Sequence, residues 1–224
     1  MQLQLSPRAR DLLELSIGYG LILATIWTPN PAQRILYWTA FVWIAITSIL
    51  RRKETAPNGL GLRGLLPSLW IPAAAIVLFV AGVALAEHLR TLHPLYGPLP
   101  VAVPILGYAL WALMQQFILQ VFVLLRLLRL GVARTPAIAL AAVLFAAAHI
   151  PNPVLVPLTL VWGACSCFFF LRYRNLYTLA LAHGTLGMCL AVTVPNHIHH
   201  HMRVGLGYFE YPAHYRHDQP RIAP

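Results

Sequence analysis

The stretch "ALWALMQQFILQVF", residues 109–122, decides how the chain is read. It is apolar enough for a membrane helix, yet it carries Gln115, Gln116 and Gln120. An amide without a partner in hydrocarbon is costly, so three of them in one helix require partners inside a bundle.

The surroundings of this stretch are those of a membrane protein. Apolar residues make up 59% of the 224-residue chain and charged residues only 10%, where a soluble domain carries about a quarter charged. Long apolar runs recur at roughly 12–28, 35–50, 68–86, 100–125, 136–150, 154–171 and 175–194. The fold class expected is therefore all-α: a polytopic transmembrane bundle of about seven spanning helices. No small-residue cleavage site follows the first run, so it reads as a span and not as a removable leader. Three parts are expected: N-terminal helices and loops over 1–99, a membrane core over 100–194, and a His-rich polar tail over 195–224.

The net charge of +10 fits this topology without invoking nucleic acid. With seven spans, Arg8, Arg10, Arg51, Arg52, Lys53, Arg63, Arg126, Arg129, Arg134, Arg172 and Arg174 fall on one side, eleven of the sixteen basic residues. Positive charge marks the cytoplasmic side, which places the N-terminus inside and the tail outside. The expected location is integral and multi-pass, in the plasma (inner) membrane. Cys165, Cys167 and Cys189 lie within apolar runs, where cysteine packs as a small hydrophobe.

Few strong hydrogen-bonding groups lie within the spans: Gln115, Gln116, Gln120, His149 and His183. At ~1.5 Å rise per residue, Gln115 is roughly 16 Å from Arg126, His149 roughly 20 Å from Pro136, and His183 roughly 12 Å from Asn175. Three helices thus bring polar groups to one layer near the middle of a hydrocarbon core about 30 Å thick. Such groups can join helices at about a kcal/mol or less each, but a common depth points to a shared intramembrane site. Ser166 is left out of this set, because its hydroxyl can bond back to its own helix.

These segments, in this order, resemble the CPBP family of intramembrane endopeptidases, which includes type II CAAX prenyl endopeptidases and bacterial Abi and lysostaphin-resistance-like proteins. The family pattern runs EExxxR, FxxxH, HxxxN. Here "QQFILQ" (115–120) takes the first place, "FAAAH" with Phe145 and His149 keeps the second, and "HGTLG" keeps His183 but puts Gly187 in the Asn place. The resemblance covers roughly residues 100–194. It implies hydrolysis in which a glutamate and the FxxxH histidine activate water and the HxxxN pair stabilises the oxyanion; a metal-dependent reading is also held. By resemblance, Gln115 holds the base position, His149 orients water, His183 is an oxyanion or metal position, and Gln116 and Gln120 replace the remaining Glu and Arg.

The departures have chemical consequences. A general base must accept a proton, and a neutral glutamine amide can only orient by hydrogen bonding. Losing an oxyanion donor costs about a hundredfold or more. With both carboxylates gone, a buried arginine would lack its partner, so Gln120 is consistent with the same change. Decay would fill these places with Leu, Ala or Val. A polar but uncharged site suggests continued binding of a membrane lipid, an isoprenoid, or a prenylated or membrane-bound peptide. A divalent metal is a further candidate, at His149 and His183 or in the tail at His199 and His201, since imidazole clusters suit such ions. Three functions stay open: an endopeptidase, a lipid-modifying enzyme, and a non-catalytic scaffold or binding protein.

Overall fold

The computed structural model describes residues 6–51, 58–93 and 102–211, with helices and no strand among them. The long helices are α1 (Pro7–Trp27), α2 (Ala32–Leu50), α4 (Trp70–His88, preceded by the short α3, Leu65–Ser68), α5 (Ala102–Phe117), α7 (Arg134–Ala147), α8 (Leu155–Tyr173) and α9 (Leu176–Thr193). Helix α5 runs on through a π-helical segment, Ile118–Leu124, into α6, Leu125–Arg129. These rods coincide with the seven apolar runs. Among the described residues five stretches are long and apolar enough to cross a membrane, beginning at Ala32, Leu65, Ile105, Leu155 and Leu176. Helix α7 is shorter, at 14 residues, and α1 carries Asp11 and Glu14 on its buried face.

Large hydrophobic side chains lie on the outside of the bundle, including Ile35, Trp38 and Ile49 on α2 and Val77, Leu78 and Val80 on α4. So broad an apolar exterior suits lipid and not water. The chain is an integral, multi-pass membrane protein.

The core is built around the π segment. Leu119, Phe122 and Leu124 are buried against Phe170 of α8, Leu176 and Leu179 of α9, and Ala137 and Ala141 of α7. Small residues let the helices approach closely: Gly163 of α8 faces Ala142 of α7, where a Cβ would meet the Ala142 Cα at 3.1 Å.

One end of the bundle is fastened by buried charge. Glu14 takes Arg51 at 2.8 Å and Arg126 at 3.2 Å, while Asp11 and Arg129 form a two-bond pair. Arg126 is 1% exposed and its guanidinium also lies 4.1 Å from the Phe122 ring centroid. Three of the basic residues counted above as topology markers are therefore also structural, tying α1 to α2 and α6.

The described part of the tail, as far as Tyr211, is held against the bundle. After Pro195 it forms α10 (Asn196–His199) and a 3-10 turn (His200–Met202), then folds back over the bundle end. The Asn152 amide, fully buried in the α7–α8 turn, donates to the carbonyls of His199 and Arg203. Gly205 N–H donates to Ile150 O at 2.8 Å. Gly205 has φ +55, and a Cβ there would overlap the Ile26 carbonyl, so only glycine passes this crossing.

Candidate functional site

The first motif sits where the helix changes its winding. The stretch from Gln115 to Phe117 closes α5, and Gln120 lies in the π segment, its carbonyl accepting the Leu125 N–H five residues on. Single π turns are frequent at functional sites, because they displace side chains from the α-helical register.

The helix then divides its glutamines between two compartments. Gln116 and Gln120 turn inward and are fully buried. The Gln116 amide donates from Nε2 to His183 Nδ1 at 3.1 Å, and Gln120 Nε2 donates to Gln116 Oε1 and Ser166 Oγ, each at 3.1 Å. Ser166 Oγ in turn donates to Gly163 O at 3.2 Å. The back-bond expected of Ser166 exists, but setting this residue apart from the polar set was wrong: it accepts from Gln120 across the bundle. Gln120 Oε1 and the Trp162 indole N–H are buried without a partner among the described residues, and Trp162 packs 6.1 Å from His183.

Gln115 faces the other way. It lines a cavity of about 200 Å³ between α1, α2, α5 and α7, which also reaches His149, Phe145 and Val204. Most of the wall is apolar, with Ile22, Ile44, Leu119 and Leu144 among its residues. The Phe145 ring touches both histidines, with centroids 4.9 Å from His149 and 5.9 Å from His183. The "FAAAH" phenylalanine thus stands between the cavity and the buried amide network.

Hydrogen bonds assign the two imidazoles opposite characters. His149 Nδ1–H donates to Phe145 O at 2.7 Å, which leaves the Nε2 lone pair free. His183 Nδ1 accepts from Gln116, so its proton is on Nε2. His149 lines the cavity and offers it an acceptor, while His183, which is not among the cavity's lining residues, keeps its donor on the side of the buried amide network.

A resident metal does not fit these donors. A ligating imidazole needs a free lone pair, which His183 has committed to Gln116, and no carboxylate joins the pair. Among the described residues no group of three or more His, Cys, Asp or Glu could hold a metal ion. In the tail, His199 is 1% exposed and both its nitrogens are engaged, Nε2–H with Val194 O and Nδ1 with Met202 N–H. It closes a turn and has no lone pair left for an ion. His200 stacks between Tyr208 and Tyr211, at 4.0 and 4.7 Å, and His201 contacts Tyr211. The histidines His214 and His217 lie outside the described residues.

Gly187 has a physical explanation. A Cβ there would overlap the Tyr108 hydroxyl of α5, so the phenol fills the space that an asparagine side chain would need. The missing asparagine and the tyrosine are two halves of one packing solution.

Sequence reasoning missed Glu14, Trp162 and Tyr108. Glu14 carried a signal, as an acid in an otherwise apolar run; the others gave none, since Trp and Tyr are ordinary in membrane helices. A family model described as type II CAAX prenyl endopeptidase Rce1-like matches residues 17–189. The match begins in α1, well before the 100–194 core that the motifs mark. Neither the curated proteins nor the solved structures give a match.

Proposed function

The chain belongs to the type II CAAX prenyl endopeptidase Rce1-like family, and from that premise we propose that it is a charge-stripped member that holds a lipid-like or prenyl chain without glutamate-type peptidase activity. The observation that carries this reading is the placement of Gln115. In the base position, on the wall of the apolar cavity beside His149, stands an amide that cannot take a proton.

The cavity supports the choice of ligand. At about 200 Å³ it is smaller than the roughly 300–1,000 Å³ usual for compact ligands, so it suits one slender chain better than a folded peptide. Its polar end, with the Gln115 amide and the His149 lone pair, would orient an uncharged head group. The plasma membrane and a cytoplasmic N-terminus are part of this proposal, on the charge asymmetry alone.

A farnesylated CAAX peptide tests the reading with the purified full-length chain. The expected result is retention of the peptide, competed by farnesol, with no cleavage product above that of His149→Ala. Cleavage at a rate that His149→Ala abolishes contradicts the reading. It would favour the second one, which rests on the free His149 Nε2: histidine alone as general base, worth about 10²–10⁴-fold.

A further inference from the structure

The charged end of the bundle contains two kinds of arginine. Arg51, Arg126 and Arg129 are paired with Glu14 and Asp11. Arg134, Arg172 and Arg174 have no carboxylate partner among the described residues, whose other acids, Glu87 and Glu210, lie on the end of α4 and in the tail.

Arg174 is the most exacting of the three. It ends α8 in the left-handed region, φ 53, with Cζ 5.2 Å from the Phe170 ring. Its Nη1 is buried without a hydrogen-bond acceptor among the described residues. Burial and the neighbouring charge of Arg134 both push its pKa down. Arg134 opens α7, which has no side-chain cap, and its guanidinium lies 6.0 Å from the ring of Phe168, a side chain exposed to lipid. The indole of Trp70 bonds the Tyr173 hydroxyl at 3.2 Å next to Arg172 and Arg174, an aromatic pair of the kind found at membrane interfaces.

We propose that Arg134, Arg172 and Arg174 form a binding site for the phosphate of an anionic phospholipid headgroup. The chemistry is that of any phosphate: an unfilled N–H donor, three positive charges at one end of the bundle, and no acid beside them among the described residues. The lipid source is favoured because the site opens at the lipid-exposed Phe168 and lies at the aromatic belt.

The test uses the full chain in nanodiscs of phosphatidylcholine with or without phosphatidylglycerol, read by native mass spectrometry of retained lipid and by thermal midpoint. Wild type is expected to retain phosphatidylglycerol and to melt higher with it. Each removed arginine should weaken retention about five-fold, the equivalent of roughly 1 kcal/mol per basic residue at an anionic surface. Arg134→Gln with Arg174→Gln should therefore lose most of the selectivity, whereas Arg8→Gln with Arg10→Gln should keep it. Should the double variant fail to fold, Arg172→Gln, an exposed position, reads the same loss alone. Equal retention by wild type and the Arg134, Arg172 and Arg174 variants overturns the site. Equal stabilisation by inorganic phosphate in pure phosphatidylcholine overturns the lipid assignment.

Discussion

Gln116 Nε2 donates to His183 Nδ1 at 3.1 Å, and this one bond fixes the state of the buried half of the site. It sets the His183 tautomer, orients the Gln116 amide, and through Gln116 Oε1 holds Gln120 against Ser166. Gln116→Leu should strand the His183 Nδ1 acceptor and leave Gln120 with its Ser166 bond alone, at a cost of about 1–3 kcal/mol, within the range for a stranded buried polar group. Ser166→Ala should cost less, since Gln120 keeps its bond to Gln116. Thermal unfolding in nanodiscs compares the two; a Ser166→Ala effect equal to that of Gln116→Leu contradicts this ordering.

The ion cluster on α1 makes a larger prediction. Glu14→Gln strands Arg126, which is 1% exposed, and breaking one partner from a buried pair costs roughly 3–5 kcal/mol. Arg126→Met in the same background should recover part of that loss, because no buried charge is then left at position 126. If Glu14→Gln melts like wild type, the cluster is not what fastens α1 to α6.

Tyr108 and Gly187 should behave as a pair. Gly187→Asn alone forces the phenol out of its place and should destabilise by about 1–3 kcal/mol, as overpacking does. Adding Tyr108→Ala should relieve the clash, giving a double variant more stable than Gly187→Asn. Additive losses in a double-mutant cycle would mean that the two side chains do not compete for one space.

The tail should loosen in acid. Burial lowers the His199 pKa below its ordinary 6.5, with the charges of His201 and His93 acting in the same direction. The folded tail therefore binds fewer protons than the detached one. Its docking is at full strength above pH 6.5 and weakens as pH falls from there toward the folded value. Protonation at Nδ1 would also remove the acceptor for Met202 N–H. Hydrogen exchange of residues 195–211 at pH values above and below 6.5 should show faster exchange on the acid side, and His199→Gln should flatten that difference.

Much of the fold was legible because its signals are one-dimensional. Apolar runs marked the helices. The depth of each polar group followed from counting residues along a helix. The rotation of each helix about its axis did not follow, because a helix that is apolar all round carries no amphipathic stripe to orient it. Gln115 and Gln116 are adjacent in sequence, yet one faces the cavity and the other His183. The π segment after them re-aims Gln120 by a backbone change that has no residue signature. The tail's histidines suggested metal, because composition cannot reveal that Val194 O and Met202 N–H already occupy the ring of His199.

Whether the cavity beside Gln115 and His149 holds a lipid-like chain can be read by lipid mass spectrometry. Wild type and Ala40→Trp, which places an indole in the cavity wall, would be purified alike and their bound lipids compared. One chain-bearing lipid or isoprenoid should be enriched in wild type and depleted in a folded Ala40→Trp variant. The same lipid profile in both proteins would contradict lipid binding in the cavity.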